Sequence, residues 1–291
     1  MRFVTPIRLL AFNLPSPEGH SAFLPCAVRF RNHESVTGGE LRVPHRTALR
    51  ACAVAVALQV SSSAFAAHPL QTEDTGTQGT GNFEIENGLS WTRAGAASVF
   101  VYQPQVSFGA TPALDLIAQP AWLDSRISGD GSARGLGDTN LDAKWRFFGE
   151  APWSLAVRGG VTLATSQHDL GLPHGKTGTH VLLTTTADAA PITAHGNIGF
   201  VHSPVPGSRA DTVFASTAVM WARSEQLILT GEASIGTSQN SNSSSFQGSV
   251  LVGAIYTAQP GLDLDMGYRS TLHTAPTGRT WLLGVTYRFA P

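Results

Sequence analysis

Between residues 82 and 289, apolar and polar residues alternate at period two through about twelve segments, most of them 9 to 13 residues long. Strands of soluble proteins usually run to five or six residues, whereas a strand that crosses a membrane needs about 9 to 11. Length and period together point to membrane-crossing strands. The segments fall near residues 82–93, 97–109, 114–123, 136–148, 153–165, 179–187, 192–202, 211–221, 227–236, 247–256, 262–270 and 280–289.

The pattern is clearest in RGLGDTNLDAKWRFFGEAPWSLAVRGGVTLATS, residues 134–166. Asp138, Asn140, Asp142, Lys144 and Arg146 share one face of a strand, and Thr139, Leu141, Ala143, Trp145 and Phe147 share the other. Only 13% of the chain is charged, so this crowding on alternate positions demands an explanation. A soluble sandwich would turn Leu141 and Trp145 to a core and the charges to water. A membrane barrel turns the same strand inside out, with apolar groups to lipid and charges to the lumen.

The connections favour the barrel. ATP at 110–112, GEAP at 149–152, DAAP at 188–191, ARSEQ at 222–226 and TAQPG at 257–261 are short, and they alternate with the longer polar stretches DSRISGDGSARG, SQHDLGLPHGKTG, SPVPGSRA, TSQNSNSSS and TLHTAPTGR. Short periplasmic turns opposite longer extracellular loops are the asymmetry of an outer-membrane barrel. The connection near Ala94–Ala96 is the one short link on the loop side. All six tryptophans sort toward strand ends: Trp91, Trp122 and Trp281 on the loop side, Trp145, Trp153 and Trp221 on the turn side. Two such sets fit the aromatic girdles at the two lipid interfaces.

The fold expected is all-β: a closed antiparallel transmembrane β-barrel of about 12 strands. Closure follows from backbone chemistry, since lipid offers no hydrogen-bond partner to an open edge. An even strand number brings both ends of the barrel to the periplasmic side. The inward positions are then Glu84, Glu86, Asp115, Asp138, Asp142, Lys144, Arg146, Arg158, Glu232, Asp263, Asp265, Arg269 and Arg288, the candidate lumen lining. Charges of both signs there can pair across strands, which isolated burial would forbid.

Ahead of the barrel, RVPHRTALRACAVAVALQVSSSAFAA at 42–67 combines basic residues, an apolar run of about ten residues and Ala64-Phe65-Ala66. This reads as a secretory signal peptide over 41–66, cleaved after Ala66; a spanning helix needs roughly 20 apolar residues. Such a signal starts too late in the chain. Residues 1–40 are therefore expected to lie outside the real product, with translation beginning at a residue such as Leu41 or Val43. Residues 67–81 read as a polar periplasmic segment, and 82–291 as the barrel. Cleavage leaves 291 − 66 = 225 residues and removes both Cys26 and Cys52. Disulfides and thiolate chemistry drop out with them. A formal net charge of −1 gives no basis for nucleic-acid binding.

Chemical motifs are weak. His168, His174 and His180 read as residues of a solvated loop, not a metal site, because they sit among glycines and a proline. Gly175-Lys176-Thr177 lacks the glycine a phosphate loop needs at 170, which is Leu170. GEASIG around Ser234 lacks the spacing of a nucleophile elbow. Neither an enzyme nor a cofactor is expected.

At EDTGTQGTGNFEIENGLSW, GLGDTNLDAKWRFF and GVTYRF the chain resembles the outer-membrane transporters grouped as the MetA-pathway of phenol degradation family, over about His68 to Phe289. The resemblance implies a channel or transporter, sometimes tied to uptake of aromatic or other hydrophobic compounds. The aromatic closing strand TWLLGVTYRFAP resembles the signal read by the outer-membrane assembly machinery, although Ala290 and Pro291 follow its last Phe. The leading expectation is thus passive diffusion of a small molecule through an outer-membrane channel. A non-transporting barrel serving as adhesin or structural protein, and a soluble exported β-sandwich, are the alternatives.

Overall fold

The structure is a computed structural model that describes residues 68–129, 131–166, 176–205, 208–239, 245–274 and 276–289. Its strands are β1 (Phe83–Ala94), β2 (Ala97–Thr111), β3 (Leu114–Gln119), β4 (Trp122–Ile127), β5 (Gly131–Leu136), β6 (Thr139–Glu150), β7 (Trp153–Leu163), β8 (Gly178–Ala189), β9 (Ile192–His202), β10 (Asp211–Ala222), β11 (Leu227–Thr237), β12 (Phe246–Gln259), β13 (Leu262–Leu272) and β14 (Arg279–Phe289). Every pairing is antiparallel. β1 pairs with both β2 and β14, and this closes the sheet.

Fourteen strands make twelve crossings. β2 gives its Val106–Thr111 half to β3 and its Ala97–Tyr102 half to β4, while β6 pairs with β3 and β5 with β4. β3 with β4, and β5 with β6, are each one crossing interrupted part-way. Pro120 lacks the N–H a ladder needs, and the register slips there: Gln119 faces Asn140, but Trp122 faces Leu136. Three steps on one side match four on the other, which is a bulge.

Above that break the structure corrects the sequence reading. DSRISGDGSARG is not a loop throughout; most of it forms the β4–β5 hairpin. Asp124 and Arg126, two apart and so on one face, bond each other at 2.9 and 2.6 Å. Gly129 and Gly131 carry φ of 86° and 121°, the left-handed region that the tight return demands. A stretch rich in polar residues and glycine reads as loop until its two halves are seen to pair.

The outer wall is apolar. Ile198, Val252, Leu283 and Met266 are more than half exposed at mid-strand, as lipid-facing groups of a barrel are. Two aromatic bands flank them. Toward the loop side Trp91 lies opposite Trp281, with Phe100 6.1 Å from both Trp91 and Trp122 and Tyr268 4.9 Å from Trp281. Toward the turn side Phe83 meets Phe108 at 4.7 Å and Trp145 meets Phe147 at 5.7 Å. The interior is polar instead: Arg158 and Asp115 are fully buried within it.

Candidate functional site

Residues 68–78 run through the barrel. The polar segment read as periplasmic over 67–81 therefore lies, in its described part, inside the lumen. From the turn-side rim, where the Thr77 hydroxyl donates to the Pro112 carbonyl, it winds along the inner wall past successive strands. The Thr75 amide donates to Thr186 on β8 at 3.2 Å, the Glu73 amide to Asn197 on β9 at 2.7 Å, and the Thr72 hydroxyl to Ser216 on β10 at 2.9 Å. Glu232 on β11 accepts the amides of Gln71 and Thr72 at 2.6 and 2.8 Å, and His68 Nδ1 meets Asp265 on β13. An extended chain inside a barrel keeps its amides unpaired unless wall side chains accept them, and this wall does so strand by strand.

Sequence details make the seat. Leu70 packs against Ala218, Leu251 and Leu282, one of several small apolar patches on a largely polar wall. Gly88 and Gly284 lie opposite each other on β1 and β14, and a Cβ at Gly284 would overlap both Asp265 Oδ2 and His68 Nδ1. The close approach of His68 depends on that glycine.

A charge cluster clasps the segment at Glu73. Its carboxylate accepts from Lys144 Nζ at 3.0 Å and from Arg158 Nη1 at 2.5 Å. Arg158 also donates through Nε and Nη2 to Asp142 Oδ2 at 2.8 and 2.6 Å, and Asp142 Oδ1 meets His180 Nε2 at 2.7 Å. Asp74 stands 3.7 Å from Lys144. Lys144 and Arg158 face each other across β6 and β7, and the segment brings the carboxylate that lets two neighbouring cations be buried together.

The thirteen sequence-predicted residues divide. Glu84, Glu86, Asp115, Asp142, Lys144, Arg158, Glu232, Asp265 and Arg269 are buried and point inward. Asp138 sits in the break between β5 and β6 and accepts the Ser166 amide at 3.1 Å. Arg146 donates to the Pro112 carbonyl at the turn-side rim, where Arg288 bridges Glu84 at 2.7 Å and Asp263 at 2.5 Å. Asn140, read on the charged face of its strand, is buried and inward as well, whereas sequence reading missed Gln105, Thr184, Thr186, His195 and Asn197, all buried and inward. Their strands β2, β8 and β9 carry no buried Asp, Glu, Lys or Arg, so the signal available in the sequence is the polar half of each period-two alternation. His180 lies on β8, within the segment 179–187 expected as a strand and not in the solvated loop expected for the three histidines; His168 and His174 lie outside the described residues.

Two cavities border the segment. One of about 70 Å³ is lined by His68, Glu86, Gln103, Gln105 and Arg269. The other, of about 140 Å³ and on the loop side, is lined by Gln71, Arg269, a set of Ser and Thr hydroxyls, Phe214 and Ile235. Gln71 and Arg269 line both.

A protein-family model described as "Putative MetA-pathway of phenol degradation" matches residues 67–289. Among solved structures, the COG4313 outer membrane channel from Pseudomonas putida F1 superimposes with a TM-score of 0.58 at 14% identity, covering 74% of this chain and 98% of that one. The NanC porin gives 0.53 at 8%, over 70% and 98%. The KdgM porin, in complex with disordered oligogalacturonate, gives 0.51 at 8%, over 71% and 99%. At these identities the likeness concerns the fold. No curated protein sequence matches.

Proposed function

Since the chain belongs to the MetA-pathway of phenol degradation family and folds as an outer-membrane β-barrel, we propose that it is a channel through which small molecules diffuse passively, without chemistry. The observation that carries this reading is the interior: a closed wall lined by buried Glu, Asp, Lys and Arg encloses cavities instead of an apolar core. The segment 68–78 lies across that path as a constriction, clasped by Glu73 and seated by Leu70 and His68. Single-ring aromatic and similarly small solutes are the class that the family membership and the 140 Å³ cavity both suit. We further propose that residues 41–66 are cleaved in export, that residues 1–40 are not part of the product, and that the β14 strand engages the assembly machinery.

Planar-bilayer recording tests the reading. The full chain is expected to conduct in small steps, and a variant lacking residues 68–78 to conduct in larger, steadier ones. A heat-modifiable, correctly folded barrel that passes neither ions nor solutes in either form would return the choice to a non-transporting barrel. N-terminal sequencing of the exported protein tests the cleavage, with Ala67 expected as first residue.

A further inference from the structure

Arg269 differs from the other buried cations of the lumen. Arg158 holds Asp142 and Glu73, and Lys144 holds Glu73 and Asp74. Arg269 is only 8% exposed, yet among the described residues its guanidinium makes neither a hydrogen bond nor an ion pair within 4 Å. Glu232 acts on it only through space: its Oε2 accepts the amides of Gln71 and Thr72, and its Oε1 makes no hydrogen bond among the described residues. A buried guanidinium compensated only through space, with no direct partner, is costly unless something arrives to pair with it.

What it faces describes the guest. Arg269 stands where the two cavities adjoin, and among the described residues it is the only ionisable one lining the larger cavity. Around it stand the hydroxyls of Thr92, Ser249 and Thr280, with the ring of Phe214 supplying apolar surface. A guanidinium matches a carboxylate with two parallel N–H donors. The cavity of about 140 Å³ is close to the roughly 150 Å³ that accepts a benzene ring in an apolar protein interior. A fixed cation, a ring-sized space and hydroxyls at its edge together select a small organic anion over a neutral ring.

We propose that this loop-side cavity is a binding site for a single-ring organic carboxylate, with Arg269 as its anchor and the segment at Gln71 as its floor. The site rests on the channel reading, for it lies where a solute entering from the loop side first meets the constriction. Binding at equilibrium does not require passage, so the two ideas can fail separately.

The test is calorimetric titration of the full, detergent-solubilised barrel with benzoate, benzyl alcohol and inorganic phosphate, alongside bilayer recording of the same preparation. Benzoate is expected to bind saturably and at least tenfold more tightly than benzyl alcohol or phosphate. Arg269→Gln is expected to lose at least tenfold for benzoate while leaving benzyl alcohol unchanged, and Arg269→Lys, which keeps charge but not the fork, to lose a few-fold. Heat-modifiability on a gel checks that each variant is a closed barrel; if Arg269→Gln does not fold, Arg269→Lys decides. Equal binding of benzoate and benzyl alcohol, phosphate binding as tight as benzoate, or unchanged benzoate affinity in the folded variants would each overturn the proposal. Absence of conductance in a barrel that still binds benzoate through Arg269 would overturn the channel reading instead.

Discussion

Glu73→Ala should loosen the lumen segment without opening the barrel. The side chain accepts charged donors from both Lys144 and Arg158, and all three groups are more than nine-tenths buried. Removing one member of a buried charge cluster costs about 3 to 5 kcal/mol, because the partners stay behind. Here the partners are only partly stranded: Arg158 keeps Asp142, and Lys144 keeps Asp74 at 3.7 Å. The lower end, about 3 kcal/mol, is therefore the appropriate figure, and at about 1.4 kcal/mol per tenfold it raises the ratio of released to seated segment roughly a hundredfold. Glu232 still accepts the Gln71 and Thr72 amides and Leu70 still fills its apolar patch, so the seated form should remain the majority. Single-channel recording reads this as a rise of about two orders of magnitude in the ratio of time in the large-conductance state. Limited proteolysis between residues 68 and 82 should quicken in step. If the variant is a heat-modifiable barrel and both readouts stay within twofold of wild type, Glu73 is not the clasp and the argument from its burial is wrong.

Three further outcomes follow from position. Val252→Arg, on the lipid face at the middle of β12, should destabilise the barrel by about 2 to 4 kcal/mol in equilibrium folding into vesicles, whereas a soluble sandwich would tolerate it. Gly284→Ala should expel His68 from Asp265 and expose the segment's start to protease while heat-modifiability persists; continued protection would show that the glycine seat is not needed. Arg288→Ala breaks ion pairs with Glu84 and Asp263, but the side chain is 48% exposed at the rim, so the loss should stay within about 1 kcal/mol and shrink in high salt.

Much of this molecule is decided locally. Which way Leu141, Asp142, Lys144 and Trp145 point is set by the two-residue period of a strand, so twelve crossings, a polar interior and two aromatic bands can be read from the chain before any contact is known. The β4–β5 hairpin is less legible, because its glycines and polar residues say only that the chain bends, and Pro120 says only that a ladder stops. Nothing local marks TEDTGTQGT as a lumen segment: it lacks periodicity, and its partners on β8 to β11 lie more than a hundred residues away. Nor does sequence separate Arg158 from Arg269, two inward arginines on inward-facing positions. Only the folded barrel places Asp142 and Glu73 against the first and leaves the second facing a cavity, because ion pairing across a lumen depends on distances that are fixed when the sheet closes.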